Sequence, residues 1–188
     1  MRMRLLSAVL VVFLVAACGK TGHSSRGGWP AALVALENFP SAEHSRVEEA
    51  VKQLNERALR PILMEQGTTG GGYPVTIRFR EPWPEAPNRA GYATIEDDRC
   101  TVEISSVLFE ATFKDYLFPV IWHEVGHCAG LEHIPQEGEV MYKYSGALGS
   151  YTEGAIQRFF GTLLSQAGLP AGSSQGARRI ADSLPPSD

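Results

Sequence analysis

The chain is poor in the features that mark nucleic-acid binders, membrane-spanning proteins and repeat arrays. Its 188 residues carry 17 Lys and Arg against 21 Asp and Glu, a formal net charge of −4. No basic field exists to hold a phosphate backbone, and no dense Lys/Arg run takes its place, so no nucleic-acid partner is expected. The longest apolar run, Leu5 to Ala17 interrupted only by Ser7, falls short of the roughly 20 residues that a spanning helix needs. There is no internal repeat. Cysteine is scarce, with 3 in the chain, while 44% of residues are hydrophobic and 20% charged. That balance excludes wholesale disorder and predicts one compact domain with a sizeable core, expected to be monomeric.

What the N-terminus has is a targeting pattern. Arg2 and Arg4 precede the apolar run, which ends in Val15, Ala16, Ala17 and Cys18. Residues 1–17 therefore read as a signal peptide. The ending resembles a bacterial lipoprotein signal, which implies that Cys18 is lipidated and becomes the first mature residue; the alternative is a simple secretory signal with an incidental cysteine. Several acyl chains together anchor a soluble domain where one binds only marginally, so the expected location is extracytoplasmic, lipid-anchored to a bacterial membrane. Gly19 and Lys20 follow the cysteine. The resemblance associates Asp there with inner-membrane retention, and its absence leans toward the outer membrane where the cell has one. Cys100 and Cys128 then lie in a compartment where disulfides persist, and pairing is expected, with two separate buried thiols as the alternative.

Residues 18–30 are rich in Gly, Ser and Thr without a hydrophobic period and read as a flexible tether. A folded domain is expected over 31–168 and a flexible, Gly-, Ser- and Pro-rich tail over 169–188. From Ser41, apolar Val47, Ala50, Val51, Leu54, Ala58 and Ile62 recur at helical spacing, and Pro61 should end that helix near Arg60 or bend it there. After the turn-rich stretch Gly67 to Gly72, Val75, Ile77 and Phe79 alternate with polar residues as in a strand. Pro82, Pro84 and Pro87 make a loop around Trp83. Further strands are expected at Gly91 to Ile95 and, after a Glu96-Asp97-Asp98 turn, at Cys100 to Ser105. Tyr116 to Leu131 reads as a central, mostly buried helix with Asp115 available as cap and Gly130 as its exit. Ser150 and Glu153 form a capping-box pattern for a last helix carrying Ile156, Phe159, Phe160, Leu163 and Leu164.

The chemistry sits on the central helix. His123, Glu124 and His127 spell His-Glu-x-x-His, which puts two imidazoles one turn apart on one face, able to bind a single zinc ion, with a carboxylate beside them. His133 supplies a third ligand if the chain turns sharply at Gly130. Three of the 5 histidines thus meet one metal geometry.

The full string, His123 to His133, resembles the long zinc motif of the metzincin metalloproteases, and Met141 is similar to the methionine of their Met-turn. With Gly138 and Val140-Met141-Tyr142 the interval is most similar to the matrixin branch and its small bacterial relatives. The resemblance implies an α+β, zincin-like fold: a mixed twisted sheet, a central active-site helix, a short lower lobe with the Met-turn and a C-terminal helix, and a cleft between lobes. Lys143 stands where matrixins usually have proline. No His/Asp-rich segment resembles the matrixin structural metal loops, so a single catalytic Zn(2+) is expected.

The chemistry expected of such a site is peptide hydrolysis by zinc-activated water, with Glu124 as general base and then acid. Tyr142 and Tyr144 are candidate transition-state stabilisers. An extended peptide or protein substrate would lie in the cleft, and an exposed edge at Gly91 to Ile95 or Cys100 to Ser106 is the candidate upper rim that pairs with it. The leading expectation is a zinc endopeptidase. Its alternatives are a non-catalytic, zinc-stabilised surface interaction protein and an amidase acting on cell-wall peptides.

Overall fold

In a computed structural model of the chain, residues 32–58, 62–65, 73–96, 99–166 and 178–183 are described. The segments expected as signal peptide and as tether with Cys18, the Gly67 to Gly72 stretch and the tip of the turn at 97–98 lie outside them. The described elements run β1 (Ala32–Glu37), α1 (Ser41–Arg57), β2 (Leu63–Glu65), β3 (Pro74–Arg80), β4 (Arg89–Ile95), β5 (Cys100–Ser105), α2 (Leu117–Cys128), α3 (Glu153–Gln166) and β6 (Arg178–Ser183), with short 3₁₀ turns between some of them. The fold is α+β. The strands form a mixed sheet in the order β2-β1-β3-β5-β4-β6. The first four in that order are parallel, while β4 runs antiparallel to both of its neighbours.

The two-residue period expected of β3 and β5 sorts their faces. Val75, Ile77, Cys100, Val102 and Ile104 are fully buried. Arg78, Arg80 and Glu103 take the other side, where Arg78 meets Glu37 at 2.8 Å and Arg80 meets Glu103 at 2.9 Å. Pairs this exposed contribute at most about 1 kcal/mol each and chiefly keep the outer face polar. Against the inner face lie α1, through Val47, Ala50 and Leu54, and α2, every residue of which is buried except Phe118. The prolines after β3 hold Trp83 at 3% exposure, between the guanidinium groups of Arg80 and Arg89 at 4.9 and 5.1 Å from its ring centre.

Several local expectations change. Helix α1 stops at Arg57, with Ala58 as its C-cap, because Asn55 reaches past it: its Oδ1 accepts from the backbone N–H of Ile62 at 2.7 Å and of Leu63 at 3.0 Å. Arg60 and Pro61, where the helix was expected to end, lie outside the described residues. Asp115 does not cap α2, since it lies inside a 3₁₀ turn, Lys114–Tyr116, that runs straight into the helix, and the N-cap is Tyr116. Thr152, not Ser150, caps α3, accepting from the Ala155 N–H at 3.1 Å; the Ser150 hydroxyl donates instead to Ala147 O. The largest difference is β6. It falls within the segment expected as tail and pairs with β4 along its length, so regular structure continues past residue 168.

Cys100 and Cys128 form a disulfide with Cα atoms 5.7 Å apart and 28 residues of separation, which ties the start of β5 to the end of α2. Replacing both with alanine should lower the free energy of unfolding by roughly 3–4 kcal/mol, the value expected for a loop of that size. A urea titration that shows an unchanged midpoint would count against this estimate.

Candidate metal centre

Helix α2 stops by a complete glycine-based C-cap. Gly130 has φ of 85°, the left-handed region that a side chain rarely adopts. Its N–H donates to His127 O at 2.8 Å, and the N–H of Leu131 reaches Gly126 O at 3.0 Å. These are the paired 5→2 and 6→1 bonds of a Schellman motif, which satisfies the last carbonyls of the helix and reverses the chain.

That reversal brings the third histidine back. His123 and His127 are fully buried on α2, and the Nε2 atoms of His127 and His133 are 3.2 Å apart. One ring nitrogen from each of His123, His127 and His133 lies within 4.8 Å of the others. Two nitrogens bound to one tetrahedral zinc at about 2.05 Å would be separated by about 3.4 Å, so the observed spacing between His127 and His133 fits a shared ion.

The hydrogen bonds fix which nitrogen can ligate. His127 Nδ1 bonds Leu131 O at 2.8 Å, and His123 Nδ1 bonds Val140 O. A carbonyl oxygen only accepts, so each Nδ1 carries the proton and each Nε2 keeps its lone pair for a metal. One of these carbonyls belongs to the turn that ends α2, the other to the segment leading to Met141. The two helix-borne imidazoles, oriented by hydrogen bonds through Nδ1, together with His133 therefore make a nitrogen donor set that suits zinc.

Two features of this site are not apparent from the histidine motif. A Cβ built on Gly91 of β4 would lie 2.1 Å from Glu124 Oε1 and 2.8 Å from its Cδ and Cγ. The Glu124 side chain, fully buried, is thus pressed against the strand backbone where only glycine leaves room. A Cβ on Gly126 would meet Met141 Sδ at 2.6 Å and Phe159 at 3.1 Å, so Met141 packs directly against α2. Its approach is braced: Ile134 N–H donates to Met141 O at 2.9 Å, and Glu139, 6% exposed, pairs with Arg158 of α3 through both carboxylate oxygens. The carboxylate raises the pKa of Arg158 above its ordinary value, chiefly through this hydrogen bonding. A glycine inside a strand pattern was the one available signal for Gly91.

Tyr142 and Tyr144 meet edge to face, with ring centres 5.8 Å apart, and the Lys143 ammonium lies 4.9 Å from the centre of the Tyr144 ring. With Tyr151 they line a cleft beyond Met141. Tyr151 accepts a 2.7 Å hydrogen bond from the Gly146 N–H, and burial pushes its pKa upward, so its hydroxyl stays protonated at neutral pH.

The expected upper rim needs correction. Strand β5 is interior, between β3 and β4, and the far side of β4 is covered by β6. Neither is an exposed edge among the described residues.

An α+β fold with three convergent histidines on and just after its central helix defines a metzincin-like metalloprotease fold. Residues 42–153, more than half of the chain, match the Matrixin peptidase family, and the chain belongs to that family. Among solved structures it is similar to archaemetzincin from Methanopyrus kandleri, at 13% identity and a TM-score of 0.46, covering 74% of this chain and 97% of that one. No curated protein matches it.

Removing the accessible ligand tests the centre with little risk to the core. His133→Ala should weaken zinc binding by at least about 100-fold while far-UV circular dichroism stays the same. Competition against a chromophoric chelator measures this, and an unaltered zinc affinity would show that His133 is not a ligand.

Proposed function

We propose that the protein is a zinc-dependent endopeptidase, held by a lipidated Cys18 on the extracytoplasmic face of a bacterial membrane. One observation carries the catalytic part: three histidine nitrogens converge on one point, and Glu124, next to His123 on the same helix, is fully buried against Gly91 of β4. The anchoring part is supported by the N-terminal sequence pattern, and a disulfide suits an oxidising compartment.

His123, His127 and His133 would hold the zinc ion, which would supply a Lewis acid able to lower the pKa of bound water to about 7 and to polarise a carbonyl. Glu124 accepts the proton of the attacking water on its carboxylate and delivers it to the departing amine nitrogen, which otherwise leaves poorly. Tyr142 and Tyr144, following Met141 in the chain, are the candidate donors to the carbonyl oxygen as it gains charge. Met141 is in this reading the Met-turn residue, a floor under α2. A purely structural zinc would normally have four protein ligands, and the described residues bring together three.

Glu124→Gln should leave zinc content unchanged and lower kcat on a quenched-fluorescence peptide by about 10³-fold. Comparable rates in the two proteins would remove Glu124 from the mechanism. Gly91→Ala is the finer probe. The methyl group overlaps the buried Glu124 side chain from Oε1 back to Cγ, so kcat of the folded protein should fall roughly 10- to 100-fold because the carboxylate is moved by about 1 Å or more, with KM changing little and thermal stability measured alongside. In a Glu124→Asp background, where the shorter acid makes room, the same substitution should cost much less. An equal penalty in both backgrounds would mean that Gly91 does not act through Glu124.

A further inference from the structure

The sheet leaves no room for a substrate strand beside Glu124. Strand β4 has β5 on one side and β6 on the other. The pairing with β6 runs antiparallel from Ile95↔Arg178 through Ala93↔Ile180 to Gly91↔Asp182, with an irregularity between Arg89 and Gly91 before Arg89↔Ser183. Gly91 is also the residue that touches the Glu124 carboxylate. Thus β6 enters at the end of β4 away from Glu124 and passes the residue in contact with it, as an extended peptide bound at that edge would do.

A strand has two hydrogen-bonding sides, and both sides of β4 are taken. A peptide that adds to β4 must therefore displace β6. The sequence of β6, Arg178-Arg179-Ile180-Ala181-Asp182-Ser183, has three charged residues and one large apolar one, a composition with weak strand preference and little apolar content. Residues 167–177, which connect it to α3, are rich in Gly, Ser and Ala. Tethering through such a connection gives even a weak strand an effective concentration on the order of millimolar.

We infer that β6 is a built-in competitor for the peptide-binding edge of this site: the chain's own C-terminal strand occupies β4 and restricts access until an incoming extended peptide replaces it. This rests on the endopeptidase reading for the identity of the displacing peptide, but the competition itself is a binding equilibrium. If β6 is docked in 90–99% of molecules, the apparent Kd for a peptide at that edge is raised about 10- to 100-fold.

The test uses the full chain, loaded with zinc, in the Glu124→Gln background so that binding is read without turnover. The probe is fluorescein-labelled casein, an unstructured polypeptide. Successive residues of a strand point their N–H groups to opposite sides, so Ile180→Pro with Ala181→Pro removes at least one donor facing β4. This release should tighten casein binding at least 10-fold. The opposite variant, Thr94→Cys with Arg179→Cys at directly paired positions, should abolish binding when oxidised and recover it on mild reduction, compared with the parent protein in the same buffer. Should the proline variant fail to fold, the locked variant decides alone. Equal or weaker binding on release, or unimpaired binding by the locked form, overturns the proposal; weaker binding would instead make β6 the strand on which peptide docks. Parallel assays with Glu124 intact separate the two readings, since absent hydrolysis alongside these binding changes would sink the peptidase and leave the competition standing.

Discussion

The metal centre depends on where α2 ends. If the helix continued one more turn, Gly126 and His127 would spend their carbonyls on later helical N–H groups, and His133 would be carried away along the helix axis. The left-handed Gly130 prevents this. It closes α2 with bonds to His127 O and Gly126 O, and the reversed chain offers Leu131 O to the His127 ring. One turn therefore ends the helix, selects the tautomer of a ligand already on it and returns the next ligand to 3.2 Å from that ring. A side chain at position 130 would strain all three functions together.

Around this turn, polar groups are buried in surroundings that favour apolar ones. His123, Glu124 and His127 are fully buried, and so are their helix neighbours Ile121, Trp122 and Val125. Burying such groups costs free energy unless they are well partnered. The fold offsets that by supplying backbone carbonyls to both rings and by clamping α2 from three directions. The disulfide holds its C-terminus to β5, Gly91 brings β4 against Glu124, and Met141 packs under Gly126. The Glu139–Arg158 pair fixes the segment bearing Met141 to α3, so the floor is anchored independently of the helix above it.

The parts visible in the sequence are those whose signal is local. The period of Val75 to Phe79, that of Cys100 to Ile104 and the burial of α2 follow from spacing, and the three histidines from a motif whose turn residue is itself glycine. The elements hidden from that reading are defined by their partners. Strand β1, Ala-Leu-Val-Ala-Leu-Glu, has parallel neighbours on both sides, and its nearly unbroken apolar run carries no alternation to distinguish a strand from the start of a helix. Strand β6 is extended because β4 is beside it. Its own composition, between Gly- and Pro-rich stretches, points to irregular chain. Gly91 carries only the weak signal of a glycine within a strand, because what requires it there is the Glu124 side chain of α2.

A sheet edge beside the proposed hydrolytic centre faces opposing demands. Left open, it is a template for any extended chain, including another unfolded copy. Closed by a strong strand, it cannot receive a substrate through backbone hydrogen bonds. A short, charged strand at the end of a Gly/Ser-rich connection lies between these limits: tethering keeps it in place against dilute chains, while its small apolar content leaves little free energy for a well-matched peptide to overcome. Gly91, which β6 covers, is also the residue packed against Glu124, so in the peptidase reading the strand that β6 occupies adjoins the proposed proton acceptor.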